Sequence, residues 1–582
     1  MGTPIVPALR RAWGLALLAA TGCATLPAGQ LEDAARIAAE ARSTAACDAG
    51  QGCFAESRLR ELALAQAAAA GAAPGPAHVL LLSEPRDALQ ARLAMVRAAR
   101  HTLDVQTYIY AEDDAGWMFL RELVAAAERG VRVRLLVDQL SAMERVETLA
   151  ALSAAHVNLQ FRVYNPVRGR GRPSPLHYAV DAACCLRRLS QRMHSKVMVA
   201  DGVLGIAGGR NFGDEYFDWS SEFNFQDKDV LVAGGTAGDM AAGFQRIWDD
   251  PRSVPAERLV DVARHLLRRG APPLAGPAYD DPARVAEALR DVPAEDARLA
   301  GAAMPAQRVA FVTDGPEKHD APAKTPAPSP STRAWREAAA GAREELLLQT
   351  PYLVMSGEVS DWLLSLRDRP FKPQVVLSTN SLASTDVFLV YALTHKHKRR
   401  LSLVFGFHVH EYKPYRSGGG VVARGEVARR GLHGKSLVAD GRLSLVGSHN
   451  FDPRSERYNL ESWVLVDDPG FAAVLARSIR EDIAPENSWV IGPRDPPRVM
   501  PATWAWLGKN AEYMPVFDLW PIRSATRFEF VPSPECPVAP APTDPRFRDC
   551  HVPIGDFDEV DPALKLLTRL ITAFGGILVP ML

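Results

Sequence analysis

The chain has 582 residues, and its 67 Lys and Arg against 68 Asp and Glu give a formal net charge of -1. That length exceeds what one hydrophobic core usually serves, so at least two domains are expected. With 47% hydrophobic and 23% charged residues, the composition argues against wholesale disorder and against a polytopic membrane protein. The near-zero charge argues against a dedicated nucleic-acid-binding protein, because such domains carry a basic excess.

The first 23 residues resemble a bacterial lipoprotein signal. Arg10 and Arg11 form a short basic region, an apolar stretch of eight residues follows, and a small-residue site ends in Cys23. Such a signal is cleaved before its cysteine, which is then lipidated. The resemblance implies a cell-envelope protein that is lipid-anchored to a membrane and faces the periplasm. A plain signal peptide and an uncleaved anchor are the alternatives, although eight apolar residues are too few to span a bilayer, which needs ~20.

Strand and helix patterns alternate along most of the chain and occur twice. The alternation begins at His78, after an Ala-rich helical leader, and begins again near Arg308. It predicts an α/β fold with two pseudo-symmetric sandwich domains. A stretch with five prolines interrupts the second copy. It is predicted to be an exposed loop or linker, because that composition cannot build a core. The predicted segments are the signal (1–23), the leader (24–76), the first domain (77–265), a connecting segment (266–304), the second domain (305–490, with the Pro-rich loop at 316–332) and a C-terminal extension (491–582).

The C-terminal extension is predicted to end in an amphipathic helix. Asp561 and Pro562 suit the cap and first position of a helix. One face of this helix then carries five apolar residues, which are Leu564, Leu567, Leu570, Ile571 and Phe574. This face either docks onto the protein's own core or lies in a membrane interface.

Seven cysteines fit an oxidising compartment. Two pairs are spaced to close short loops, and we expect the disulfides Cys47–Cys53 and Cys536–Cys550. Cys184 and Cys185 are adjacent, and we expect both to be buried as small hydrophobic residues without a vicinal disulfide between them. The spacings do not resemble a zinc site, since no Cys-x-x-Cys pair occurs.

Two segments far apart in the chain repeat one spacing of four chemistry-bearing residues. In each segment, His, Lys, Asp and Asn stand at offsets 0, 2, 7 and 17. Chance does not give this spacing twice. The two sets are His194, Lys196, Asp201 and Asn211 in the first copy, and His433, Lys435, Asp440 and Asn450 in the second.

Each of these segments is predicted to be a β-hairpin. Apolar runs flank an Asp-Gly pair, which is the preferred two-residue hairpin turn. A two-residue turn at Asp201-Gly202 would place Gly209 opposite His194. Side chains two apart on a strand share a face, so His194 and Lys196 point together. The two sets meet in one site if the two copies face each other.

The combined set suits a phosphodiester. One His attacks phosphorus to form a phosphohistidine, and the other protonates the leaving oxygen. The two Lys and two Asn hold the non-bridging oxygens, and this chemistry requires no metal and no cofactor. Each Asp either orients an imidazole or only shapes its turn. Satisfied core histidines with turn aspartates are the alternative, and that alternative fits one copy alone far better than it fits both.

The paired motifs resemble the HKD motifs of the phospholipase D superfamily, and the similarity extends over roughly residues 78–490. Three stretches in particular are similar to bacterial cardiolipin synthases, namely Val105-Gln106-Thr107-Tyr108, Gly208-Gly209-Arg210-Asn211 and Phe451-Asp452-Pro453-Arg454-Ser455. Gly209 departs from the general superfamily motif, which has Ser there. The resemblance implies one active site at the interface of the two domains.

The resemblance also implies residue roles. His194 would be the nucleophile and His433 the general acid, although spacing alone does not choose between them. Glu461 matches an acidic position downstream of the second motif, where it either orients a catalytic imidazole or is an ordinary strand-end carboxylate. The expected phosphate-binding residues are Lys196, Asn211, Lys435 and Asn450.

The expected activity is transfer of a phosphatidyl group to phosphatidylglycerol, which gives cardiolipin. Its expected partners are phospholipid substrates and a membrane surface, with no nucleic acid. A phospholipase D that passes the same group to water is the first alternative, and a nucleic-acid phosphodiesterase with broad basic grooves is the second. A non-catalytic envelope lipoprotein is an alternative of another class, but such a protein would usually have lost one motif His or Lys, and all four are present.

Overall fold

The structure is a computed structural model that describes residues 25–47, 53–69, 75–141, 143, 145–321, 327–367, 369–415, 428–495, 502–503, 506, 525–557 and 560–574. The signal segment with Cys23 therefore lies outside the described residues. The strands are β1 (Gly75–Leu82), β2 (Thr102–Thr107), β3 (Arg132–Asp138), β4 (Leu159–Tyr164), β5 (Arg192–Met193), β6 (Lys196–Ala200), β7 (Leu204–Gly208), β8 (Phe223–Gln226), β9 (Asp229–Ala233), β10 (Ser253–Pro255), β11 (Met304–Thr313), β12 (Glu345–Gln349), β13 (Gln374–Asn380), β14 (His408–Tyr412), β15 (Arg429–Leu432), β16 (Ser436–Ala439), β17 (Leu443–Gly447), β18 (Asn459–Leu460), β19 (Ser462–Asp467), β20 (Ser488–Pro493), β21 (Ala525–Phe530) and β22 (His551–Gly555).

Helices occupy most of the connections between these strands. The α-helices are Ala28–Ala41, Arg58–Ala69, Pro85–Ala98, Asp114–Glu128, Val146–Ser153, Pro175–Cys184, Leu186–Ser190, Thr236–Trp248, Val260–Arg269, Pro282–Ala302, Glu317–Asp320, Pro330–Gly341, Gly357–Arg367, Phe388–Leu403, Pro453–Arg457, Pro469–Asp482, Phe547–Cys550 and Pro562–Phe574. Among the described residues, no helix is both long enough and apolar enough to cross a bilayer.

Eighteen strands of the described chain follow one another in a single hydrogen-bonded order. That order is β10, β4, β3, β2, β6, β7, β9, β1, β11, β19, β17, β16, β12, β13, β14, β20, β21 and β22. The two halves mirror each other about the antiparallel β1–β11 pair, so that β2 corresponds to β12 and β6 to β16. The predicted α/β fold with two pseudo-symmetric domains is confirmed.

The core lies in three layers around this sheet. One apolar cluster, which includes Leu103, Val133 and Phe119, fills the space between the first half of the sheet and its helices. A second cluster around Leu377 and Trp463 does the same in the second half. A third cluster takes valines and leucines from both halves, and this shared cluster joins them into one body. Its members include Val79, Val199, Val230, Val309, Val438, Val464 and Leu475.

Both motif hairpins form and turn at the predicted Asp-Gly pairs, but the predicted strand register is wrong by one residue. Ala200 pairs with Leu204, so Gly208 and not Gly209 stands at the ladder position nearest the start of β6, opposite Lys196. Val203 donates its N–H to the Ala200 carbonyl at 3.1 Å and is left outside the ladder. Asp201 and Gly202 adopt positive φ angles of 52° and 67°, as the two central residues of a type I′ turn do, and Val203 is the extra residue that shifts the register.

Several predicted connections belong to the body of the protein. The expected connecting segment largely forms helix Pro282–Ala302, which packs on helix Pro85–Ala98. Helix Pro330–Gly341 begins inside the stretch predicted to be a Pro-rich loop, because Ser329 accepts a hydrogen bond from Thr332 N–H and caps it. In the C-terminal extension, β21 and β22 prolong the sheet beyond β20.

The cysteines agree with the sequence prediction at two pairs and not at the third. Cys47–Cys53 and Cys536–Cys550 are disulfides, as expected. The pair Cys184-Cys185 is instead joined in a vicinal disulfide and is exposed at the end of helix Pro175–Cys184, so the prediction of buried free cysteines is wrong. These residues do not pack in a core because the surrounding helix buries none of its residues.

Candidate active site

The two motif histidines lie immediately before β6 and β16, at the seam between the halves. Each is held by the backbone of the opposite half. The N–H groups of His194 and Ser195 donate to the Leu460 carbonyl at 3.0 and 2.9 Å. Those of His433 and Gly434 donate to the Gln226 carbonyl at 2.7 and 3.1 Å.

Short parallel strands align the chain for these crossed contacts. In the pairing of β5 with β18, Met193 lies beside Leu460, and in the pairing of β8 with β15, Leu432 lies beside Gln226. The residue after each of these partner strands is acidic, Glu461 in one case and Asp227 in the other. A carboxylate from each half is thereby brought next to the histidine of the other half.

Each motif histidine contacts one buried carboxylate through its Nδ1 atom. His194 Nδ1 lies 2.9 Å from both carboxylate oxygens of Glu461. His433 Nδ1 lies 2.5 Å from Asp227 Oδ2. Both carboxylates are fully buried. A carboxylate at Nδ1 fixes the tautomer and the orientation of the ring. Nε2 is then the nitrogen that can attack phosphorus or transfer a proton.

The electrostatic surroundings of the two imidazoles differ in degree. Burial, followed by the positive charges of Lys196 and Lys435, holds the pKa of His194 well below its usual range. Burial and Lys435 also lower the pKa of His433, but the negative charge of Asp227 opposes them. Although burial alone would raise it, His433 and Lys435 bring the pKa of Asp227 down to about 2.

Both motif lysines are buried beside the histidines. The Nζ atom of Lys196 donates to the His194 carbonyl, and that of Lys435 donates to the His433 carbonyl, each at 2.5 Å. Burial lowers the pKa of Lys196 to about 7 and that of Lys435 to about 8. Two cations with weakened hydration are well suited to bind an anion that enters the site.

The two motif asparagines are also buried at this site. Asn211 accepts from the Ile109 N–H at 3.0 Å and donates from Nδ2 to the Tyr216 hydroxyl at 2.7 Å. Tyr216 in turn packs edge-on against the His433 ring, with 5.7 Å between centroids. Among the described residues, Asn450 Oδ1 is buried without a hydrogen-bond partner.

The structure does not place the motif aspartates near an imidazole. Asp201 accepts from the N–H groups of residues 100–102, at distances from 2.7 to 3.3 Å. Asp440 accepts in the same way from the N–H groups of residues 343–345. Both carboxylates sit at the far end of their hairpins, where they tie the turn to the start of the neighbouring strand. Of the two roles left open by the sequence, the structure gives them the structural one.

Sequence reasoning found one of the two carboxylates and missed the other. The sequence leaves Glu461 either orienting a catalytic imidazole or acting as an ordinary strand-end carboxylate, and the structure places it against His194, the histidine of the opposite half. Asp227 was not predicted. The available signal was the repeat itself, because Asp227 follows a short buried strand 33 residues after His194, as Glu461 does 28 residues after His433.

The mouth of the site carries charges of opposite sign. Arg454 lowers the pKa of His194, whereas Asp386 raises that of His433. Asp386 accepts from the Tyr352 hydroxyl at 2.6 Å. The Tyr108 ring lies 4.9 Å from the His194 ring and forms part of the wall. Within the described residues, no group of three or more His, Cys, Asp or Glu is arranged to hold a metal ion.

The sequence was compared with protein-family models and with known relatives. A family model described as "Cardiolipin synthase, PLD-like domain" matches residues 93–248 and 336–483, which include both motif hairpins. Cardiolipin synthase C of Escherichia coli K12 is 31% identical over 410 residues, which are 69% of this chain and 84% of that protein. The major cardiolipin synthase ClsA of Bacillus subtilis is 22% identical over 404 residues, which are 69% of this chain and 68% of that protein.

A comparison with solved structures gave matches as well. Phosphatidylserine synthase of Haemophilus influenzae Rd KW20 has a TM-score of 0.49 and 14% identity. The match covers 72% of this chain and 89% of that chain.

Proposed function

Because this chain belongs to the family of phospholipase D-like cardiolipin synthases, we propose that it moves a phosphatidyl group from a phospholipid donor to phosphatidylglycerol, giving cardiolipin. The observation that carries the proposal is the pair of crossed histidine–carboxylate contacts, each beside a buried lysine. One such pair supplies a nucleophile and the other an acid, so both halves are needed for one reaction.

The difference between the two imidazoles supports His194 as the nucleophile. A nucleophilic imidazole must be neutral, and the pKa of His194 is held well below its usual range. A general acid must carry a proton, and the short contact with Asp227 favours the protonated form of His433. The negative charge of a bound phosphodiester favours that form further.

The first half-reaction breaks the donor ester. His194 Nε2 attacks phosphorus, the bond from phosphorus to the leaving alcohol oxygen breaks, and His433 Nε2–H gives its proton to that oxygen. Lys196 and Lys435 stabilise the charge on the non-bridging oxygens. The products are a phosphatidyl group bound to His194 and a free alcohol, which is glycerol when phosphatidylglycerol is the donor.

The second half-reaction transfers the phosphatidyl group. Neutral His433 accepts the proton of an acceptor hydroxyl as that oxygen attacks phosphorus, and the bond from phosphorus to His194 Nε2 breaks. With phosphatidylglycerol as the acceptor the product is cardiolipin, and with water it is phosphatidic acid. Water at ~55 M competes unless the acceptor is positioned, where effective molarities reach ~10⁵ M or more.

The test is product analysis. Purified enzyme with phosphatidylglycerol in mixed micelles is expected to give cardiolipin and glycerol, with phosphatidic acid as a minor product. A preparation with His194→Ala serves as the inactive control. Phosphatidic acid as the main product, persisting as the acceptor is raised, would indicate a phospholipase D instead. Absence of any product would favour the alternative of a non-catalytic envelope lipoprotein.

We also propose that the mature chain is anchored in the cell envelope through a lipidated Cys23. The disulfides Cys47–Cys53 and Cys536–Cys550 support exposure to an oxidising compartment. Cys23→Ala is expected to leave an uncleaved precursor and to abolish incorporation of labelled fatty acid. Unchanged processing and labelling would contradict the anchor.

A further inference from the structure

The C-terminal helix Pro562–Phe574 contacts the rest of the protein with the less apolar of its faces. Thr568 is fully buried, and the Thr572 hydroxyl donates to the Ala392 carbonyl at 2.6 Å. Leu564 packs at one end of this contact, in a cluster with Tyr391. The helix is therefore fixed on helix Phe388–Leu403 by a row of residues spaced four apart.

Three leucines remain in solvent on the opposite side of the same helix. Leu566, Leu567 and Leu570 are 52%, 45% and 48% exposed. In an α-helix, positions 566 and 570 lie roughly opposite position 568, so these leucines face away from the protein. The amphipathic helix predicted from the sequence thus exists, but its predicted face is split, with Leu564 docked and with Leu567 and Leu570 exposed.

Two further exposed apolar residues lie at the start of helix Phe388–Leu403, on which the terminal helix is docked. Val387 and Leu389 are each 38% exposed, and Phe388 between them packs with Leu564. Asp386 directly precedes Val387, and Asn380 at the start of the same connection exchanges two hydrogen bonds, each of 2.8 Å, with the backbone of Leu432, which directly precedes His433. We call the set Val387, Leu389, Leu566, Leu567 and Leu570 the leucine surface.

Charged side chains border the leucine surface, with Asp386 beside Val387, Asp561 at the start of the terminal helix, and two basic residues beside the exposed leucines. Lys565 and Arg569 lie on one flank of the terminal helix, between its buried row and its exposed leucines. The Arg569 guanidinium lies 5.4 Å from the Phe557 ring, which holds it near this flank. Exposed leucines flanked by basic side chains match the boundary between the acyl chains and the headgroups of an anionic bilayer.

We propose that the leucine surface inserts into the surface of an anionic phospholipid bilayer and sets the mouth of the active site against it. This inference rests on the proposed function in one respect, because a substrate lipid then enters from the bilayer to which the surface binds. The terminal helix is the part that inserts, and Val387 and Leu389 form the edge over which a lipid reaches His433.

The test compares vesicle binding with turnover of a soluble substrate. The full chain carries Leu566→Gln, Leu567→Gln and Leu570→Gln. Every protein also carries Cys23→Ala, so that all of them keep the same unacylated N-terminal segment and differ only in the exposed apolar residues. The matched control replaces three exposed apolar residues elsewhere, as Leu176→Gln, Phe371→Gln and Val538→Gln. The probe is vesicles of phosphatidylethanolamine with phosphatidylglycerol, and the soluble substrate is short-chain phosphatidylglycerol below its micelle concentration.

The leucine triple variant is expected to lose about tenfold or more in vesicle partitioning, while the control triple changes little. Its turnover of the soluble substrate is expected to match that of the parent, which shows that the fold is intact. Equal vesicle binding by the two triple variants would overturn the proposal. If the proposed function fails, none of the proteins forms a cardiolipin from the soluble substrate, but the difference in vesicle binding remains.

A second measurement covers the case in which the triple variant does not fold. Leu567→Trp is a single substitution at an exposed site, and its added fluorescence is expected to be quenched by vesicles that contain brominated acyl chains. No added quenching relative to the parent chain would overturn the proposal. A lipid-free dimer that the leucine variants convert to monomer would assign this surface to a second copy of the chain and would also overturn it.

Discussion

The two halves of the site contain equivalent motif residues, but the carboxylates that contact the two histidines have different hydrogen-bond partners. In the second half, Ser448 donates its hydroxyl to Glu461 at 2.5 Å, and Ser455 donates to the other oxygen at 2.7 Å. In the first half, position 209 is glycine, and a Cβ atom there would lie 2.1 Å from an oxygen of Asp227. Glu461 therefore divides its charge among three side-chain contacts, whereas Asp227 directs one oxygen at His433 and accepts from the Lys228 N–H at 2.7 Å with the other.

This comparison indicates how a duplicated site gains two distinct roles. Hydrogen bonds from hydroxyls weaken a carboxylate as a partner for an imidazolium, so His194 is the easier of the two to keep neutral. The shorter, less shared contact at Asp227 favours the charged form of His433. In the proposed mechanism, the difference between Gly209 and Ser448 accompanies the division of the two histidines into a nucleophile and an acid.

The largest expected effect comes from removing either histidine. His194→Ala and His433→Ala are each expected to lower kcat by about 10³-fold or more, because each half supplies an indispensable group. Steady-state transfer assays measure this, with exposed His101→Ala as the matched control. About half of the activity in either variant would mean two independent sites. A trapped phosphoenzyme modified at His433 would reverse the assignment of the nucleophile.

Neutralising the two carboxylates separates their roles through pH. Asp227→Asn is expected to reduce kcat/KM by about 10²-fold, because protonated His433 loses its counter-charge. Since Asp227 opposes the lowering of the His433 pKa, the alkaline limb of the pH–rate profile moves to lower pH in this variant. Glu461→Gln lowers the rate without this displacement. Equal displacement in both variants would contradict the assigned roles.

Exchanging the small residues tests the comparison directly. Gly209→Ser is expected to lower kcat by about tenfold or more, because its side chain displaces the Asp227 carboxylate. Ser448→Gly removes one hydrogen bond from Glu461 and is expected to cost roughly threefold to tenfold. Measurement of kcat for both variants at one pH tests these two expected losses. A larger loss in Ser448→Gly would show that the hydroxyl matters more than the space beside Asp227.

Binding of a phosphodiester anion is expected to weaken at alkaline pH. The pKa values of about 7 for Lys196 and about 8 for Lys435 mean that both cations lose their protons as pH rises from 6 to 9. Competitive inhibition by dimethyl phosphate, which remains a monoanion, is expected to weaken by about tenfold over this range. An inhibition constant that does not change with pH would show that these lysines stay charged in the free enzyme.

The smallest catalytic effect is expected for the turn aspartates. Asp201→Asn removes a carboxylate that accepts three backbone N–H groups, so the free energy of unfolding is expected to fall by about 1–2 kcal/mol. Asp440→Asn should act in the same direction in the other hairpin. Denaturant titration measures the loss, and kcat stays within about twofold. A kcat loss comparable with that of Asp227→Asn would restore a catalytic role to these residues.

Much of the fold follows from patterns that are local in the chain. The runs near His78, Leu103 and Val131 predict strands that the structure contains, because strand periodicity and the intervening helices are encoded locally. The same holds for the motif spacing, which places His and Lys together on one strand end. The predicted hairpin register is off by one residue because Val203 lies outside the ladder, and an Asp-Gly turn signal does not specify such an extra residue.

What the sequence did not reveal is the exchange between halves. Spacing within one copy pairs His194 with Asp201, yet the carboxylate that reaches it lies 267 residues away at Glu461. Such pairing depends on how two separately encoded domains dock. The buried contact at Asp227 was missed for the same reason, and the exposed leucines of the terminal helix were not distinguishable from docked ones by periodicity alone.

The crossed strands next to the histidines also restrict how the protein can move. The pairs β5–β18 and β8–β15 join the halves at two points, in addition to the β1–β11 seam. A hinge that opened the halves would break these pairs and separate each imidazole from its carboxylate. The two imidazoles therefore keep their positions relative to each other through both half-reactions of the proposed transfer. Because that transfer passes through a covalent intermediate, a phospholipid donor and a chemically distinct acceptor alcohol, varied against each other, should give the parallel double-reciprocal lines of a ping-pong enzyme.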